Sequence, residues 1–536
     1  MARLHCIELL PHGRKIMASS GDNLLESLMA GNIFLRADCG GKGRCGKCRV
    51  EAIDGSGQAV GREACILTVE GDMRLVIPEE SLLSAHIIDK APANLPASFA
   101  SEAAQSPGPD IVPGFAVDLG TTTIAVYLVD FVKKSVISSI AVKNPQALYG
   151  DDVMSRIGQI GDCREKLLRL KQLVVKAIEW GIRALLADTR LPAERLAKMV
   201  VVGNPAMIHI LLGVSPLSIG MSPYAPQFYE ARKTPGNDLG LAFPRLMVET
   251  LPQVSGFLGG DILAAAIATE LSEQPPGTLL IDLGTNGELV LKGIDGVYAT
   301  SCATGPAFEG AALSCGMQAI PGAIDKVSIS GRDFEPEFSV VKRDGGVPVR
   351  PSGLCGSGVI SAISAMLRAD IIGPSGLFAH ASSIRGLLES AGNGRRYLIV
   401  PADRTAYGRE IVISQKDIRA VQLGKGALST GILFLMRAAG ITKLHRILVA
   451  GAFGSYLNKE DMIALGMIPA IDPRRIQVVG NSAGAGAIMA LCDTKYLFEA
   501  QALARAMTVV ELAANSDFQN AFVHNLSFPI TQVGSG

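Results

Sequence analysis

The chain has 536 residues, of which 48% are hydrophobic, with 50 Lys+Arg balanced by 50 Asp+Glu. That length allows about three or four domains with sizeable cores, and the zero net charge excludes a global basic field for nucleic acid or an anionic membrane. The start, Met1-Ala2-Arg3-Leu4-His5-Cys6, lacks an apolar signal core, and no apolar run of about 18 residues occurs. The expectation is a soluble, cytoplasmic protein in which ten cysteines serve metal or redox chemistry rather than disulfides.

In chain order, Cys6–Leu10 and Lys15–Ala18 read as a strand pair around the turn Pro11-His12-Gly13. Ser20 or Asp22 can cap a short helix from Asn23 to Ala30, with Leu24, Leu25 and Leu28 on one face. A glycine-rich loop follows, Ala37-Asp38-Cys39-Gly40-Gly41-Lys42-Gly43-Arg44-Cys45-Gly46-Lys47-Cys48, with cysteines at C-x5-C-x2-C spacing; Cys65 follows after 16 intervening residues. Thiolates at Cys39, Cys45, Cys48 and Cys65 can hold a 2Fe–2S cluster, while glycines let the backbone wrap closely around inorganic sulfide. The first gap is one residue longer than the plant-type C-x4-C-x2-C run. The alternatives are a structural zinc site or unrelated buried cysteines, but zinc usually takes two C-x2-C-type pairs and only one exists here. The strands Arg49–Ile53 and Met73-Arg74-Leu75-Val76-Ile77 complete a unit of about 80 residues that resembles the β-grasp ferredoxin fold.

Of the remaining side chains near the loop, Lys42, Arg44 and Lys47 can guide a partner, although solvated loop charges are commoner. Cys6, Cys163, Cys302, Cys315, Cys355 and Cys492 are scattered and read as small core residues. Residues 91–113 are rich in Pro, Ala and Ser with little charge, which predicts a flexible, extended linker. At roughly 3 Å per residue it would span several tens of ångströms and let a cluster visit more than one docking site.

Two related signals mark the rest. Gly114-Phe115-Ala116-Val117-Asp118-Leu119-Gly120-Thr121-Thr122-Thr123 and Leu279-Leu280-Ile281-Asp282-Leu283-Gly284-Thr285-Asn286-Gly287-Glu288 each run from an apolar strand into a D-L-G-T turn. Gly120 and Gly284 permit close approach of backbone N–H groups to an oxyanion, and Thr121, Thr122, Thr285 and Asn286 offer polar contacts to phosphate. Asp118 and Asp282 can hold a hydrated Mg²⁺. The pair resembles the phosphate motifs of the acetate kinase, sugar kinase, heat-shock chaperone and actin superfamily of ATPases. Gly260-Asp261-Ile262-Leu263-Ala264 and Asn481-Ser482-Ala483-Gly484-Ala485-Gly486 resemble its two connecting helices, the second with small residues for a close crossing. Ile447-Leu448-Val449-Ala450-Gly451-Ala452-Phe453-Gly454-Ser455 resembles its nucleoside strand and turn.

The resemblance implies an α/β chain: a β-grasp ferredoxin-like domain (1–90), a linker (91–113) and a duplicated two-lobed actin-like, ribonuclease H-like ATPase (114–536, lobes divided near 275). It implies that Asp261 or Glu288 positions the attacking water, and that Gly451, Gly454 and Ser455 border the nucleoside. Asp151 and Asp152 read either as catalytic acids or as a helix start, where carboxylates favour the N-terminal dipole.

Joined on one chain, the two signatures resemble the reductive activators of corrinoid proteins. Asn144-Pro145-Gln146-Ala147-Leu148-Tyr149-Gly150, Gly203-Asn204-Pro205-Ala206-Met207, Ala303-Thr304-Gly305-Pro306 and Gly353-Leu354-Cys355-Gly356-Ser357-Gly358 fit that group. The resemblance implies ATP, Mg²⁺ and a 2Fe–2S cluster as cofactors, a corrinoid (cobalamin-binding) protein as partner, an upstream electron donor, and no nucleic acid or membrane; a homodimer is left open. Some members carry a further middle domain, for which this chain leaves almost no room. The implied reaction returns Co(II) to the nucleophilic Co(I) state. Each 59 mV uphill for one electron is a factor of ten, so a gap of a few hundred millivolts costs several kcal/mol. An ATP-driven change of conformation can supply that sum. Two other classes remain open: a small-molecule kinase with a redox-sensing domain, and an electron carrier with a non-hydrolysing nucleotide switch.

Overall fold

The computed structural model describes the chain apart from residues 1–2, 12, 32, 36–40, 42, 44–45, 47, 54–56, 79–80, 83–94, 97–98, 100–110, 151, 285, 311–312, 318, 331–332, 343–348, 381–383, 391–393, 452–456, 513–514 and 530–536. It forms two compact units, residues 1–89 with 103–250, and residues 90–102 with 251–536.

The first unit opens with a five-stranded sheet of order β2-β1-β5-β3-β4. Its strands are β1 Leu4–Leu10, β2 Arg14–Ser19, β3 Arg49–Ile53, β4 Ala59–Glu63 and β5 Met73–Val76. β1 and β5 run parallel at the centre, with antiparallel neighbours on either side. Alternation decides which face is buried: Ile7 and Leu9 of β1 and Ile16 and Ala18 of β2 point into the core, where Leu24, Leu25 and Leu28 of the helix Leu24–Ala30 cover them. This is the expected β-grasp arrangement. Asn23, rather than Ser20 or Asp22, caps the helix by accepting from the Glu26 N–H. β4 was not foreseen, because Ala59-Val60-Gly61-Arg62-Glu63 lacks a clear apolar alternation.

A six-stranded sheet of order β10-β11-β9-β6-β7-β8 completes the first unit. It contains β6 Pro113–Leu119, β7 Thr123–Asp130, β8 Ser135–Lys143, β9 Lys198–Gly203, β10 Lys233–Pro235 and β11 Met247–Thr250. β6, β7 and β8 form an antiparallel meander, and β9 and then β11 add on in parallel. β6 and β7 are apolar almost throughout, as strands covered on both faces must be. The helix Arg164–Thr189 packs on this sheet; its Gly181 meets Val126 and Ile140.

The second unit repeats that topology. Its main sheet has the order β22-β21-β12-β13-β14-β23. The strands are β12 Thr278–Leu283, β13 Gly287–Lys292, β14 Val297–Cys302, β21 Arg446–Ala450, β22 Ile476–Gly480 and β23 Met507–Val509. Again a meander, β12-β13-β14, is extended by parallel strands, here β21 and β22. Between β14 and β21 the chain inserts two three-stranded sheets: β15 Ala323–Ile329, β16 Pro336–Val340 and β17 Gly353–Leu354, then β18 Leu387–Ser390, β19 Gly394–Val400 and β20 Ile411–Ser414.

Two segments at the edges of these units bear on the site. The helix Gly260–Ala268 groups with the second unit. Phe99 also groups with the second unit, where it is fully buried with its ring 6.1 Å from that of Tyr496. A stretch read as free linker therefore carries an apolar anchor.

Candidate functional site

Among the four cluster cysteines, Cys48 and Cys65 are described; Cys39 and Cys45 lie outside the described residues, as do Lys42, Arg44 and Lys47. Cys48 ends the loop at the foot of β3, and Cys65 sits in the short turn Ala64–Ile66 after β4. The β3–β4 pairing brings the two together: the Ala64 N–H donates to the Cys48 carbonyl at 2.9 Å. Both cysteines are buried. Asn23 fixes the second position from the helix side, donating from Nδ2 to the Cys65 carbonyl at 2.8 Å. Gly41, Gly43 and Gly46 have φ of +77°, +64° and +63°, values that L side chains adopt only with strain. Left-handed glycines at these positions suit a backbone that must pass close to a thiolate-held iron–sulfur group.

The other cysteines divide. Cys302 and Cys355 are buried, and burial pushes both thiols up, so they stay protonated. Cys6, Cys163, Cys315 and Cys492 are half-buried rather than core. Among the described residues no cluster of three or more His, Cys, Asp or Glu is placed to hold a metal ion.

The first phosphate turn joins β6 to β7. Asp118 is the penultimate residue of β6, paired with Ala125 on β7 and Val202 on β9. Gly120 donates to the Thr123 carbonyl at 3.0 Å and closes the turn; an added Cβ at Gly120 would lie 2.6 Å from that oxygen. Side chains not assigned a role from sequence support the turn from behind. Asn144 donates from Nδ2 to the Gly120 carbonyl at 2.9 Å, and its own N–H donates to the Thr122 carbonyl at 2.8 Å. Arg156, fully buried, donates to the Thr121 carbonyl at 2.7 Å. Asn204 donates from Nδ2 to the Thr121 hydroxyl at 3.0 Å. Asn144 and Asn204 also cap the helical turns that start at Pro145 and Pro205. The Asn-Pro dipeptide was the available signal: a cap followed by a proline ready for the first helical position.

The second turn joins β12 to β13. Asp282 pairs directly with Glu288 across the hairpin, and with Ala450 on the parallel strand β21. Gly284 donates to the Asn286 carbonyl at 3.0 Å. Gly451, with φ +97°, closes on the same place: a Cβ there would lie 3.0 Å from Asp282 Oδ1. Thr285, Gly454 and Ser455 lie outside the described residues. Asp261 stands in the first turn of the helix Gly260–Ala268, where its carboxylate accepts from the Ile262 N–H at 2.9 Å. That helix crosses the helix Ser482–Cys492 closely, and a side chain at Gly486 would collide with the Ala264 backbone. Of the Asp151–Asp152 pair, Asp152 is the N-cap of the helix Val153–Ile160, accepting from the Ser155 N–H at 2.8 Å; Asp151 is not described. The helix-start reading of Asp152 is the one the geometry supports.

Comparison with known proteins agrees with these parts. A 2Fe-2S iron-sulfur cluster binding domain matches residues 7–74, the "RACo middle region" matches 113–274, and the "C-terminal domain of RACo the ASKHA domain" matches 277–535. The middle region thus coincides with what the sequence reads as the first lobe, which corrects the expectation that the chain has no room for it. The "Corrinoid activation enzyme RamQ" of Eubacterium limosum is 33% identical over 426 residues, covering 77% of this chain and 70% of that protein. The "[Co(II) methylated amine-specific corrinoid protein] reductase" of Methanosarcina barkeri is 25% identical over 446 residues, 77% of each chain. The solved structure of a "Reductive activator for corrinoid,iron-sulfur protein" superposes with a TM-score of 0.72 at 28% identity, covering 98% of this chain and 99% of that one. An iron–sulfur domain, a middle region and an ASKHA domain in this order, with that relative and that structure alongside, place the chain in the RACo family.

Proposed function

We propose that this protein is an ATP-dependent reductive activator, which reduces the Co(II) corrinoid of a partner protein to Co(I) and hydrolyses ATP in doing so. The observation that carries the reading is the union on one chain of a ferredoxin sheet bearing Cys48 and Cys65 with two sheets of duplicated topology, each ending its first strand in an Asp-Leu-Gly turn. The named activities of the relatives point the same way.

Cys39, Cys45, Cys48 and Cys65 would hold a 2Fe–2S cluster, which when bound supplies the one-electron donor. The loop glycines shape the backbone around it, and Asn23 keeps Cys65 in place. Asp118 and Asp282 orient Mg²⁺ and its waters. Gly120, Thr121, Thr122, Gly284, Thr285 and Asn286 bind phosphate, and Gly451, Gly454 and Ser455 border the nucleoside. Glu288, across the hairpin from Asp282, or Asp261 positions the attacking water. Hydrolysis drives the transfer because nucleotide favours one conformation of the complex with the corrinoid protein. In that complex, weakening an axial ligand of the substrate cobalt raises its potential and eases reduction.

Among the described residues no helix is long and apolar enough to cross a membrane. The test is anaerobic visible spectroscopy of a partner corrinoid protein with reductant and this protein, with and without Mg-ATP. Co(I) is expected only with nucleotide; the same rate and extent without it overturns the reading. Steady phosphorylation of a small molecule instead would assign the chain to the kinases.

A further inference from the structure

Within the first unit the ferredoxin sheet is packed against the first lobe along a small seam. Tyr149 donates from its hydroxyl to Glu26 Oε2 at 2.9 Å, and Arg169 lies 3.8 Å from the same carboxylate while donating to the Glu26 carbonyl at 3.2 Å. Lys176 donates to the Ala30 carbonyl at the end of the same helix. Phe34 faces Trp180, their ring centroids 6.4 Å apart. Leu148 rests on the cysteine loop itself: a Cβ added at Gly41 would lie 2.5 Å from Leu148 Cδ2 and 3.9 Å from Cys65 Cβ. Burial and the neighbouring Glu26 carboxylate push the Tyr149 hydroxyl up to about 12, so it remains a donor throughout the physiological range.

The segment that makes this seam also holds the first phosphate turn. Asn144, four residues before Leu148, bonds the carbonyls of Gly120 and Thr122. Arg156 spans the rest, donating to the Thr121 carbonyl at 2.7 Å, to Gln146 Oε1 at 3.2 Å and to the Gly150 carbonyl at 2.9 Å. One short strap thus has its first residue under the phosphate turn and its last side chains against the cluster loop. The guanidinium charge of Arg156 is fully buried beneath the turn, where an arriving phosphate acts on it with little screening. A shift of Arg156 passes to Gln146 and Gly150, on either side of Leu148 and Tyr149.

We propose that Asn144 and Arg156 are positioning residues that make the docking of the ferredoxin domain, through Glu26, Tyr149 and Arg169, answer to nucleotide at Gly120–Thr122. The inference rests on the reading of that turn as a phosphate site and adds the route by which the site reaches the cluster. The docked pose is the nucleotide-free one: Leu148 covers part of the cysteine loop, and electron transfer to a partner needs that loop to be approached closely. Nucleotide loosens the dock.

The experiment uses the full chain with its cluster, anaerobically, and no corrinoid protein. Hydrogen exchange of residues 24–30 and the emission of Trp180, the chain's single tryptophan, are read with and without Mg-AMPPNP, whose binding is measured in parallel. Nucleotide is expected to speed exchange at 24–30 several-fold and to shift the Trp180 emission. Glu26→Gln combined with Tyr149→Phe should give the loosened signature without nucleotide, while ATP hydrolysis changes less than about twofold. Arg156→Lys should bind nucleotide yet lose the response; should it fail to fold, Asn144→Ser makes the same test. Nucleotide binding with no change at residues 24–30 or Trp180 overturns this inference alone, as does a full response in Arg156→Lys or Asn144→Ser. Absence of nucleotide binding overturns the proposed function with it.

Discussion

Asp282 and Glu288 face each other directly across the β12–β13 hairpin, so their side chains share one face of the sheet. In the first hairpin the residue opposite Asp118 is Ala125. The duplicated turns are therefore unequal, and the second carries two carboxylates side by side. Like charges in such pairs destabilise a sheet, and a divalent cation offsets the cost. Asp282→Ala should lower ATP hydrolysis by orders of magnitude, and Asp118→Ala likewise through lost Mg²⁺ positioning. Glu288→Gln should slow hydrolysis while raising the thermal stability of the Mg²⁺-free protein. Normal steady-state phosphate release by both aspartate variants would show that the two turns are not a nucleotide site.

The cluster loop gives a second test. Cys45→Ala should abolish cluster assembly, read as lost iron, sulfide and visible absorbance, with nucleotide binding largely intact. Gly41→Ala should retain iron poorly, because φ +77° strains any side chain and the new Cβ meets Leu148. Adding Leu148→Ala should recover part of the loss, since it removes the contact but leaves the strain.

Asn204 serves both the Thr121 hydroxyl and the Met207 N–H. Asn204→Ala removes a helix cap, at a cost of about 1 kcal/mol, and frees the hydroxyl to rotate. The expected outcome is a modest fall in melting temperature together with a raised KM for ATP. A fall in stability with KM unchanged would reduce Asn204 to a cap.

His209 is buried and stacked on Phe228 with centroids 4.4 Å apart; Nδ1 meets the Pro205 carbonyl at 2.7 Å and Nε2 accepts from the Gln227 N–H at 3.0 Å. Burial lowers its pKa to about 4. Between about 6.5 and 4 the unfolded chain binds a proton that the folded chain refuses, so stability falls as pH drops through this window, by up to about 3 kcal/mol from this group. Denaturant titrations at several pH values should show that loss in the wild type. His209→Leu, less stable at neutral pH, should lack this part of the slope.

Where the helices Gly260–Ala268 and Ser482–Cys492 cross, Gly486→Ala would drive a methyl into the Ala264 backbone. Backbone cannot yield as a side chain tip can, so the substitution should cost about 1–3 kcal/mol. Calorimetry of the variant measures it directly.

The parts readable from sequence are those whose chemistry is local. The cysteine spacing, the two Asp-Leu-Gly turns and the small residues of Ser482–Cys492 each state their geometry within a dozen residues. What stayed hidden depends on contacts distant in sequence. Arg156 looks like an ordinary helical arginine until the fold places it under Thr121, 35 residues away. Glu26 and Tyr149, 123 residues apart, carry no mutual signal at all. Phe99 was overlooked for the opposite reason: a single aromatic in a Pro/Ala/Ser-rich stretch does not alter its composition, yet its ring is fully buried beside Tyr496. The insertions from β15 to β20 were not read as separate sheets, because their short strands alternate weakly.

The burial of Phe99 gives the connection between the ferredoxin sheet and β6 a point held by the second unit. Val76 ends the ferredoxin sheet, Phe99 is held by the second unit, and Pro113 begins β6. Phe99 thus divides the connection, with 22 residues before it and 13 after it. Domains joined by short leashes behave as if present at roughly millimolar concentration to one another. At that concentration a seam as slight as the one around Glu26 needs only millimolar intrinsic affinity to be half occupied. A change of about 1.4 kcal/mol in its strength then moves the ratio of docked to released domain tenfold. A contact too weak to hold two separate proteins together can still be occupied on one chain, within reach of the change proposed above for nucleotide.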